Sequence, residues 1–373
     1  MSRLYWPAPG QLGFREGEAP PLLATKGVEE LVFVNRPWPV RGLRLPTALF
    51  SCPSLRRLWL GAWMLPDTAT LPRGSALPNL QELVLACVGM EDRDLDFVLA
   101  ASPVLETLTI ELRARLASHS LRCAHLCFSC LEEVAAVDTP ILERLVIQRC
   151  WTGCRIGRKL GARVKIGNAP KLSTLGYLEP GVHVLEIGNT VIKPGTKVSP
   201  NTTVPSVRML ALQLHFKVRN EVKMLPSFLR CFPNVETLCV QSEVTHEPSG
   251  NLNSKFWKET GPIESVQSHL KTVVVREFQG EQSELDFLMY IAENARELKD
   301  LVLILKLGRY AAPEEVCHKL KALESANWAS GGSKLRYLMS RLKDGEFAWC
   351  LKSGSNLSYG DPFILGLDWW GGY

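Results

Sequence analysis

The sequence predicts an α/β fold in which short parallel strands and their return segments repeat along the chain. Two observations predict it. One apolar pattern recurs at intervals of 25 residues in three copies, Leu55-x-x-Leu58-x-Leu60, Leu80-x-x-Leu83-x-Leu85 and Leu105-x-x-Leu108-x-Ile110. A tripeptide containing proline precedes each copy, and proline favours an extended backbone at the start of a strand. This spacing is typical of a leucine-rich-repeat solenoid, a curved parallel sheet with irregular outer helices and loops.

Strand geometry separates the core from the surface, because alternate side chains of a strand point to opposite faces. We expect Leu58 and Leu60 inside the stack of repeats and Arg57, Trp59 and Gly61 on the opposite, concave face. One repeat cannot bury its own apolar edge, so neighbouring repeats form the core together. The outward residues then form a surface.

Composition excludes several classes of protein. The chain has 373 residues and a formal net charge of +5. A net charge this small is evidence neither for nor against nucleic-acid binding. No segment approaches the ~18 apolar residues of a membrane span, and the N-terminus lacks a signal-peptide pattern. We therefore expect an intracellular protein, cytoplasmic or nuclear, that contacts no membrane and needs no cofactor.

The 11 cysteines are expected to be reduced thiols in the core or in turns, because no secretion signal is present. The alternative is a zinc site, since the spacing of Cys127, Cys130, Cys150 and Cys154 would suit four thiolate ligands. The repeat pattern already explains Cys150, which falls on the Asn/Cys position of the consensus. The sequence therefore predicts no metal site.

Residues 1–24 are rich in proline and glycine, which predicts an irregular segment and a possible cap. The first repeat present is Val28-x-x-Leu31-x-Phe33, whose apolar edge has no preceding repeat. We expect Trp6, Phe14 and Leu22 to fold over that edge.

A short outer helix is predicted at 90–99, because Leu95, Val98 and Leu99 share one helical face. From Leu121 the interval between repeats shortens. The next predicted strands are Leu131-x-x-Val134 and Leu142-x-x-Leu145-x-Ile147.

The most basic stretch, residues 155–165, predicts an exposed loop. The alternative is a patch that binds phosphate or nucleic acid through clustered lysine and arginine. No aromatic residues are interleaved for base stacking, and the glycines match no phosphate-binding motif. A nucleic-acid partner is therefore not expected.

The repeat pattern resumes at Leu172-x-x-Leu175, Val182-x-x-Leu185-x-Ile187, Val207-x-x-Leu210-x-Leu212 and Val235-x-x-Leu238-x-Val240. Beyond a polar loop at 245–255 the interval lengthens to 28 residues, between Leu270-x-x-Val273-x-Val275 and Leu298-x-x-Leu301-x-Leu303. Two helices are predicted there, at 284–295 and 313–326; the inward residues of the first are Leu285, Leu288, Met289, Ala292 and Ala295. The predicted organisation has an irregular segment at 1–24, a repeat solenoid at 25–245, further repeats at 255–348 and a tail at 349–373.

Two groups of segments resemble a known family. The repeat region of plant F-box/leucine-rich-repeat proteins resembles the segments from Leu45 to Leu58, Asn79-Leu-Gln-Glu-Leu83 and Ser102-Pro-Val-Leu-Glu-Thr-Leu108. The C-terminal FBD region of that family resembles Phe232-Pro-Asn-Val-Glu-Thr-Leu238, Phe256-Trp-Lys-Glu259, the segment from His269 to Phe278, and Glu284-Leu-Asp-Phe-Leu288. The resemblance covers roughly residues 22–325.

The resemblance implies an F-box that docks on the adaptor of a cullin-type ubiquitin ligase, followed by repeats that hold a substrate. The 27 residues before Val28 contain no F-box motif. We therefore expect a truncated member that keeps the substrate-holding part without its own ligase-docking element. The alternative is a stand-alone or decoy repeat protein without a role in ubiquitination.

The predicted partner is a protein bound on the concave strand face. Its predicted contacts are Arg57, Trp59, Glu82, Thr107, Thr109, Glu111, Arg144 and Gln148. Catalysis is not expected, because the sequence has no G-x-S-x-G or H-E-x-x-H motif. Its seven histidines are scattered without carboxylates at acid/base spacing.

Overall fold

The computed structural model describes residues 3–6, 27–34, 44–72, 74–86, 88–110, 114–128, 133–149, 163–245, 248–250, 255–305, 313–339 and 357. The chain forms two compact units, Met1–Lys171 and Leu172–Tyr373, called unit 1 and unit 2 below. Each unit is built on a parallel sheet whose strands follow one another along the chain. Both therefore have the α/β repeat architecture that the sequence predicts.

Unit 1 contains two sheets. The main sheet is parallel and consists of β1 (Arg3–Trp6), β2 (Glu30–Val34), β3 (Arg57–Gly61), β4 (Glu82–Ala86), β5 (Thr107–Ile110), β7 (Cys123–Phe128) and β9 (Arg144–Arg149), paired in that order. The second sheet consists of β6 (Ala114–Ala117), β8 (Glu133–Asp138) and β10 (Arg163–Asn168). Strands of the second sheet are the return segments between strands of the main sheet.

The core of unit 1 is a ladder of aliphatic side chains at the second position of each strand. These residues pair in register and are all buried: Leu31, Leu58, Leu83, Leu108, Ala124 and Leu145. A second ladder of buried residues includes Leu60 and Leu85. The inward direction predicted for Leu58 and Leu60 is confirmed.

The return segments change from helix to strand along unit 1. After β4 the chain returns through helix α1 (Asp92–Ala101), which buries Leu95, Val98 and Leu99 as predicted. After β5 and β7 it returns through the extended strands β6 and β8. Only 21 residues separate Leu121 from Leu142, and so short an interval accommodates an extended return more easily than a helix with its loops. The predicted repeat strand at Leu131-x-x-Val134 is thus wrong: Val134 belongs to β8 of the second sheet.

The N-terminal segment differs from the irregular structure that its composition predicts. Residues Arg3–Trp6 form β1, which pairs in parallel with β2. Trp6 is therefore part of a paired strand. Phe33 of β2 stacks on Trp63, with 4.5 Å between the ring centroids, and Trp63 Nε1 donates to the Phe33 carbonyl at 3.1 Å. The first repeat is thus covered by a strand and by a later tryptophan. Phe14 and Leu22 lie outside the described residues.

Unit 2 has one main parallel sheet, formed in order by β11 (Thr174–Leu178), β14 (Met209–Leu214), β15 (Thr237–Ser242), β16 (Thr272–Phe278), β17 (Asp300–Leu305) and β18 (Lys334–Met339). Strand β11 pairs directly with β14. The predicted repeat strand at Val182-x-x-Leu185-x-Ile187 is therefore wrong: β12 (Val184–Ile187) lies outside this sheet and pairs antiparallel with β13 (Thr190–Val191).

From β14 onward, the described return segments of unit 2 contain helices. They are α2 (Arg219–Arg230), α3 (Phe256–Thr260), α4 (Glu264–Ser268), α5 (Gln282–Asn294) and α6 (Pro313–Glu324). Helix α2 was not predicted, although Val222, Leu225 and Leu229 have helical spacing and are buried. On and just after α5, Leu288, Ala292 and Ala295 are buried as predicted. The prediction is wrong at two edges of that face: Leu285 and Met289 are half-buried, and Phe287 and Ile291 are buried instead.

Unit 2 is continuous across the predicted boundary at 245–255. Strands β15 and β16, which lie on its two sides, pair in register from Thr237 with Thr272 to Gln241 with Arg276. The two compact units divide instead between Lys171 and Leu172. The polar loop is therefore an insertion between neighbouring strands of one sheet.

Three outer helices share one device at their first turn, a buried carboxylate in the third helical position. Asp94 of α1 accepts the Glu91 N–H at 2.8 Å, and Glu221 of α2 accepts the His215 N–H at 2.8 Å. Glu284 of α5 accepts the Glu281 N–H at 2.7 Å. Each carboxylate satisfies backbone donors of the helix start or of the loop before it. Glu221 and Glu284 thereby also connect their helices to residues at the ends of strands.

Candidate partner-binding surface

The predicted surface centres on three adjacent strands of unit 1, β3 to β5. The first strand positions place Arg57 beside Glu82, and Glu82 beside Thr107. Two positions further on, Trp59 pairs with Val84. We call the surface formed by Arg57, Trp59, Glu82 and Thr107 the Trp59 face.

Trp59 is the main apolar feature of this face. Its exposed fraction is 39%, and its strand neighbours are the half-buried Val32 and the buried Val84. Because β3 pairs with a strand on each side, the backbone that carries Trp59 is fixed. Tryptophan in such a position can bury a large apolar area at small cost in conformational entropy.

Arg57 is held by carboxylates from both neighbouring strands. Its Nη1 donates to Glu30 Oε1 on β2, and its Nε lies 3.6 Å from Glu82 Oε2 on β4. The Arg57 side chain is nevertheless 46% exposed. The guanidinium is therefore oriented by the protein and open to a partner.

Gly61 does not lie on the exposed surface as predicted. It is buried, because Val34 of β2 packs against it, and a Cβ atom on Gly61 would lie 3.0 Å from Val34 Cγ1. The outward half of β3 is therefore limited to Arg57 and Trp59.

Two of the predicted contact residues are buried. Thr109 and Arg144 are each 4% exposed. Thr109 pairs with the buried Val84 on one side and with His125, 2% exposed, on the other. The exposed surface therefore ends before His125 of β7 and Arg144 of β9, which are buried. Glu111 lies outside the described residues, and Gln148 is placed as a backbone residue of β9 without a description of its side chain.

A charged ladder beside the strand face was missed by the sequence reasoning. Arg122, just before β7, lies between two carboxylates of neighbouring repeats: its Nε donates to Glu143 Oε1 at 2.9 Å, and its Nη1 lies 3.8 Å from Glu106 Oε2. The available signal was the alternating charge at the residue that precedes each strand, which tertiary stacking brings into register.

Histidines and carboxylates do meet in the fold, contrary to their scatter along the sequence. His215 Nδ1 lies 3.0 Å from Glu221 Oε2, and His119 Nε2 lies 3.4 Å from Asp138 Oδ2. A third pair is His183 with Glu179, whose backbone N–H donates to His183 Nδ1 at 3.0 Å. The His215 and His183 pairs bond backbone groups of loops and a helix start, so local structure accounts for them.

The cysteines whose side chains are described form no disulfide bond. Cys52, Cys123, Cys231 and Cys239 are buried, and burial raises the pKa of Cys123 and of Cys231 to about 12. Three of the four cysteines of the zinc alternative lie outside the described residues, and the Cys127 side chain is not described. In the part of the chain that is described, no group of three or more His, Cys, Asp and Glu side chains is arranged to hold a metal ion.

The described end of the basic stretch, residues 163–165, is a strand and not the predicted loop. Arg163 and Lys165 belong to β10, where the intervening Val164 is buried. Residues 155–162 lie outside the described ranges. Among the helices that are described, none combines the length and apolar character of a membrane span.

Comparison with known proteins identifies two regions. Residues 19–240 match a family model described as "FBD-associated F-box protein At5g56370, LRR repeats", and residues 258–303 match the FBD model. The FBD match spans α4, β16, α5 and most of β17 of unit 2.

Comparison with individual proteins finds relatives in Arabidopsis thaliana. F-box/LRR-repeat protein 13 is 27% identical over 316 residues, which cover 76% of this chain and 68% of the relative. FBD-associated F-box protein At5g60610 is 26% identical over 279 residues, 68% of this chain and 69% of the relative. Putative F-box/FBD/LRR-repeat protein At3g49480 is 25% identical over 325 residues, 79% and 68% of the two chains.

Proposed function

Because this chain belongs to the leucine-rich-repeat family of FBD-associated F-box proteins, we propose that it binds a protein on the Trp59 face and holds that protein as a ubiquitin-ligase substrate. Leucine-rich-repeat proteins bind other proteins, which makes protein binding the general role. The finer part of the proposal concerns the surface used and the fate of the bound protein.

The exposed Trp59 beside the oriented Arg57 is the main support for this choice of surface. Tryptophan and arginine are enriched among the residues that dominate binding energy, and one such anchor contributes ~2 kcal/mol or more. Glu30 and Glu82 fix the Arg57 side chain before a partner arrives, which reduces the entropy lost on binding.

The ligase link is supported by the relatives, whose names include "F-box". Substrate holding by repeats in such a protein requires binding and no chemistry, so we propose no catalytic activity for this chain. We place it in the cytoplasm or nucleus, where reduced thiols such as the buried Cys123 and Cys239 are maintained.

The surface is tested by quantitative capture of interacting proteins with the full chain and with the double variant Arg57→Ala/Trp59→Ala. We expect specific partners to fall at least about tenfold, because loss of two anchors at ~2 kcal/mol each exceeds one decade in affinity. The matched control is Arg93→Ala/Val104→Ala, which removes an exposed arginine and an exposed apolar residue elsewhere in unit 1. Equal capture by the double variant and the wild type would exclude the Trp59 face.

The ligase role is tested separately by co-purification with the ligase adaptor, using the same tagged chain. Adaptor capture that persists in the Arg57→Ala/Trp59→Ala variant supports the role, because docking and substrate holding use different surfaces. Partner capture without the adaptor would instead support the alternative, a stand-alone or decoy binding protein.

A further inference from the structure

A row of charged residues lies at the start of the strands in unit 2. The residues just before β14, β15 and β16 are Arg208, Glu236 and Lys271, which alternate in sign. Glu236 lies 3.6 Å from Arg208 Nη1 and accepts a hydrogen bond from Lys271 Nζ at 2.6 Å. The next residue of this row is Lys299, whose N–H donates to the Lys271 carbonyl at 2.8 Å. A second lysine therefore stands where alternation would place a carboxylate.

The last described strand of the sheet adds to this positive charge. Lys334 begins β18, and its N–H donates to the Lys299 carbonyl at 2.8 Å. Lys334 pairs in register with Asp300, but Arg336 Nη2 already donates to Asp300 Oδ1 at 2.9 Å. Lys299 and Lys334 are exposed, and neither forms an ion pair within the part of the chain that the structure describes. The Arg336 side chain is 59% exposed. Three cations and one carboxylate thus lie at the start of β17 and β18.

The turn before β17 does not compensate this charge. Its two charged residues, Arg296 and Glu297, are both exposed and opposite in sign. The equivalent row of unit 1 does contain compensating charges, because Arg122 lies between the carboxylates of Glu106 and Glu143. A carboxylate is therefore compatible with this position of a repeat, and the fold does not require lysine there.

The neighbouring lysines carry a cost. Adjacent strands of a sheet are about 4.8 Å apart, and like charges side by side on adjacent strands are destabilising. Proteins keep such local conflicts mainly at functional sites. A negatively charged group bound beside Lys299 and Lys334 would remove the repulsion between them.

The face of β18 that carries these cations also exposes an apolar side chain. Alternation places Lys334, Arg336 and Leu338 on one face of the strand. Leu338 is 37% exposed, and its strand neighbour Ile304 is 6% exposed. We call the surface formed by Lys299, Lys334, Arg336 and Leu338 the Lys334 patch. A protein segment can offer carboxylates and an aliphatic side chain to this patch, whereas a nucleic-acid backbone offers phosphates and no aliphatic side chain.

We infer that the Lys334 patch binds an acidic segment of a protein partner. Its carboxylates pair with Lys299, Lys334 and Arg336, and an apolar residue of the segment covers Leu338. The inference rests on the protein-binding role proposed above and adds a second surface to it. This surface belongs to unit 2, whereas the Trp59 face belongs to unit 1.

The test measures binding of a fluorescently labelled peptide to the full chain by fluorescence anisotropy at low salt. The peptide alternates glutamate with leucine, and its matched probes replace every glutamate by glutamine or by lysine. We expect the glutamate peptide to bind at least about threefold more tightly than the glutamine peptide, and the lysine peptide to bind most weakly. Added salt should reduce this preference, because exposed charges are screened.

Variants of the patch should change the preference in a defined direction. Lys299→Gln/Lys334→Gln should weaken the glutamate peptide about three- to tenfold, and Lys299→Glu/Lys334→Glu should transfer the preference to the lysine peptide. The matched control is Lys197→Gln/Lys223→Gln, which removes two exposed lysines elsewhere in unit 2, the second of them on α2, and should change nothing. A thermal melt of each variant checks that the fold is kept.

Equal binding of the glutamate and glutamine peptides would overturn the patch, as would unchanged binding by a folded Lys299→Gln/Lys334→Gln variant. Tighter binding of a single-stranded oligothymidine of equal charge would also overturn it, because the cations would then suit nucleic acid better than protein. Arg57→Ala/Trp59→Ala should leave peptide binding unchanged. Failure of the Trp59 face and failure of the Lys334 patch are therefore separate results.

Discussion

At the scale of single residues, the buried carboxyl of Glu284 requires hydrogen-bond partners inside the protein. It is 1% exposed and accepts hydrogen bonds from Ser242 Oγ and from the backbone N–H groups of Gln279 and Glu281. Burial is the main influence and raises the pKa of Glu284 above its ordinary value of 4.5. A buried carboxyl of this kind connects a strand end to a helix start and also makes stability depend on pH.

The pH dependence follows from the direction of that shift. A folded-state pKa above the unfolded value means that the folded protein holds the proton more tightly. Stability from Glu284 is then greatest below about pH 4.5 and falls as pH rises through the raised pKa. We expect Glu284→Gln to remove this part of the pH profile, measured by urea unfolding across a pH series. Glu293→Gln, exposed on the same helix, should keep the wild-type profile.

Truncation of the same side chain should be more damaging. Glu284→Ala leaves the N–H groups of Gln279 and Glu281 without their acceptor, and a buried unpaired donor costs about 1–3 kcal/mol. We expect the free energy of unfolding at neutral pH to fall by at least that amount. A loss equal to that of Glu293→Ala would show that the buried carboxyl carries no structural role.

At the scale of elements, neighbouring strands are joined by ion pairs as well as by backbone hydrogen bonds. In unit 2, Glu236 accepts a hydrogen bond from Lys271 Nζ at 2.6 Å and lies 3.6 Å from Arg208 Nη1. The bond from Lys271 is the main cause of the lowered pKa of Glu236. The same alternation of charge occurs at Glu106, Arg122 and Glu143 in unit 1.

These pairs are half-exposed, so each is expected to contribute little. Lys271→Ala should lower the free energy of unfolding by about 0.2–1 kcal/mol at low salt, and the difference from wild type should nearly vanish at 1 M NaCl. Because the folded-state pKa of Glu236 is lowered, its contribution is present above its unfolded pKa and is lost as pH falls. Lys223→Ala is the control; a salt-independent loss from Lys271→Ala would point to packing of its stem instead.

Prediction at this scale succeeded where local spacing decides structure. The directions of Leu58, Leu60, Arg57 and Trp59 follow from the two-residue period of a strand, which needs no distant contact. Burial of Thr109 could not be read in this way, because it depends on what lies over the outward face. The second sheet was also missed, because an isolated pattern such as Leu131-x-x-Val134 does not say which sheet its strand will join.

At the scale of the whole molecule, each stacked repeat is stabilised mainly by its contacts with the adjacent repeats. Leu108 is fully buried in the ladder between Leu83 and Ala124. Leu108→Ala should lower the stability of unit 1 by about 2–5 kcal/mol, because it leaves a cavity in that ladder. Hydrogen exchange should show the loss in β4, β5 and β7, while β15 and β16 of unit 2 keep their protection.

The control for that experiment is Val104→Ala, an exposed residue in the turn before β5, for which we expect no measurable change. Uniform loss of protection across both units after Leu108→Ala would contradict nearest-neighbour behaviour. It would show instead that the chain unfolds as a single cooperative unit.

The sequence by itself determined the repeat fold, the main family resemblance and the outward position of Arg57 and Trp59. The interval between repeats and the alternation of side chains along a strand are local properties of the sequence, so they can be read without knowledge of distant contacts. Only the tertiary structure decided that β12 leaves the main sheet, that His215 meets Glu221, and that the buried Glu284 accepts a hydrogen bond from Ser242 at the end of β15. Those features depend on the distance between residues far apart in the chain, and that distance is set only when the repeats stack.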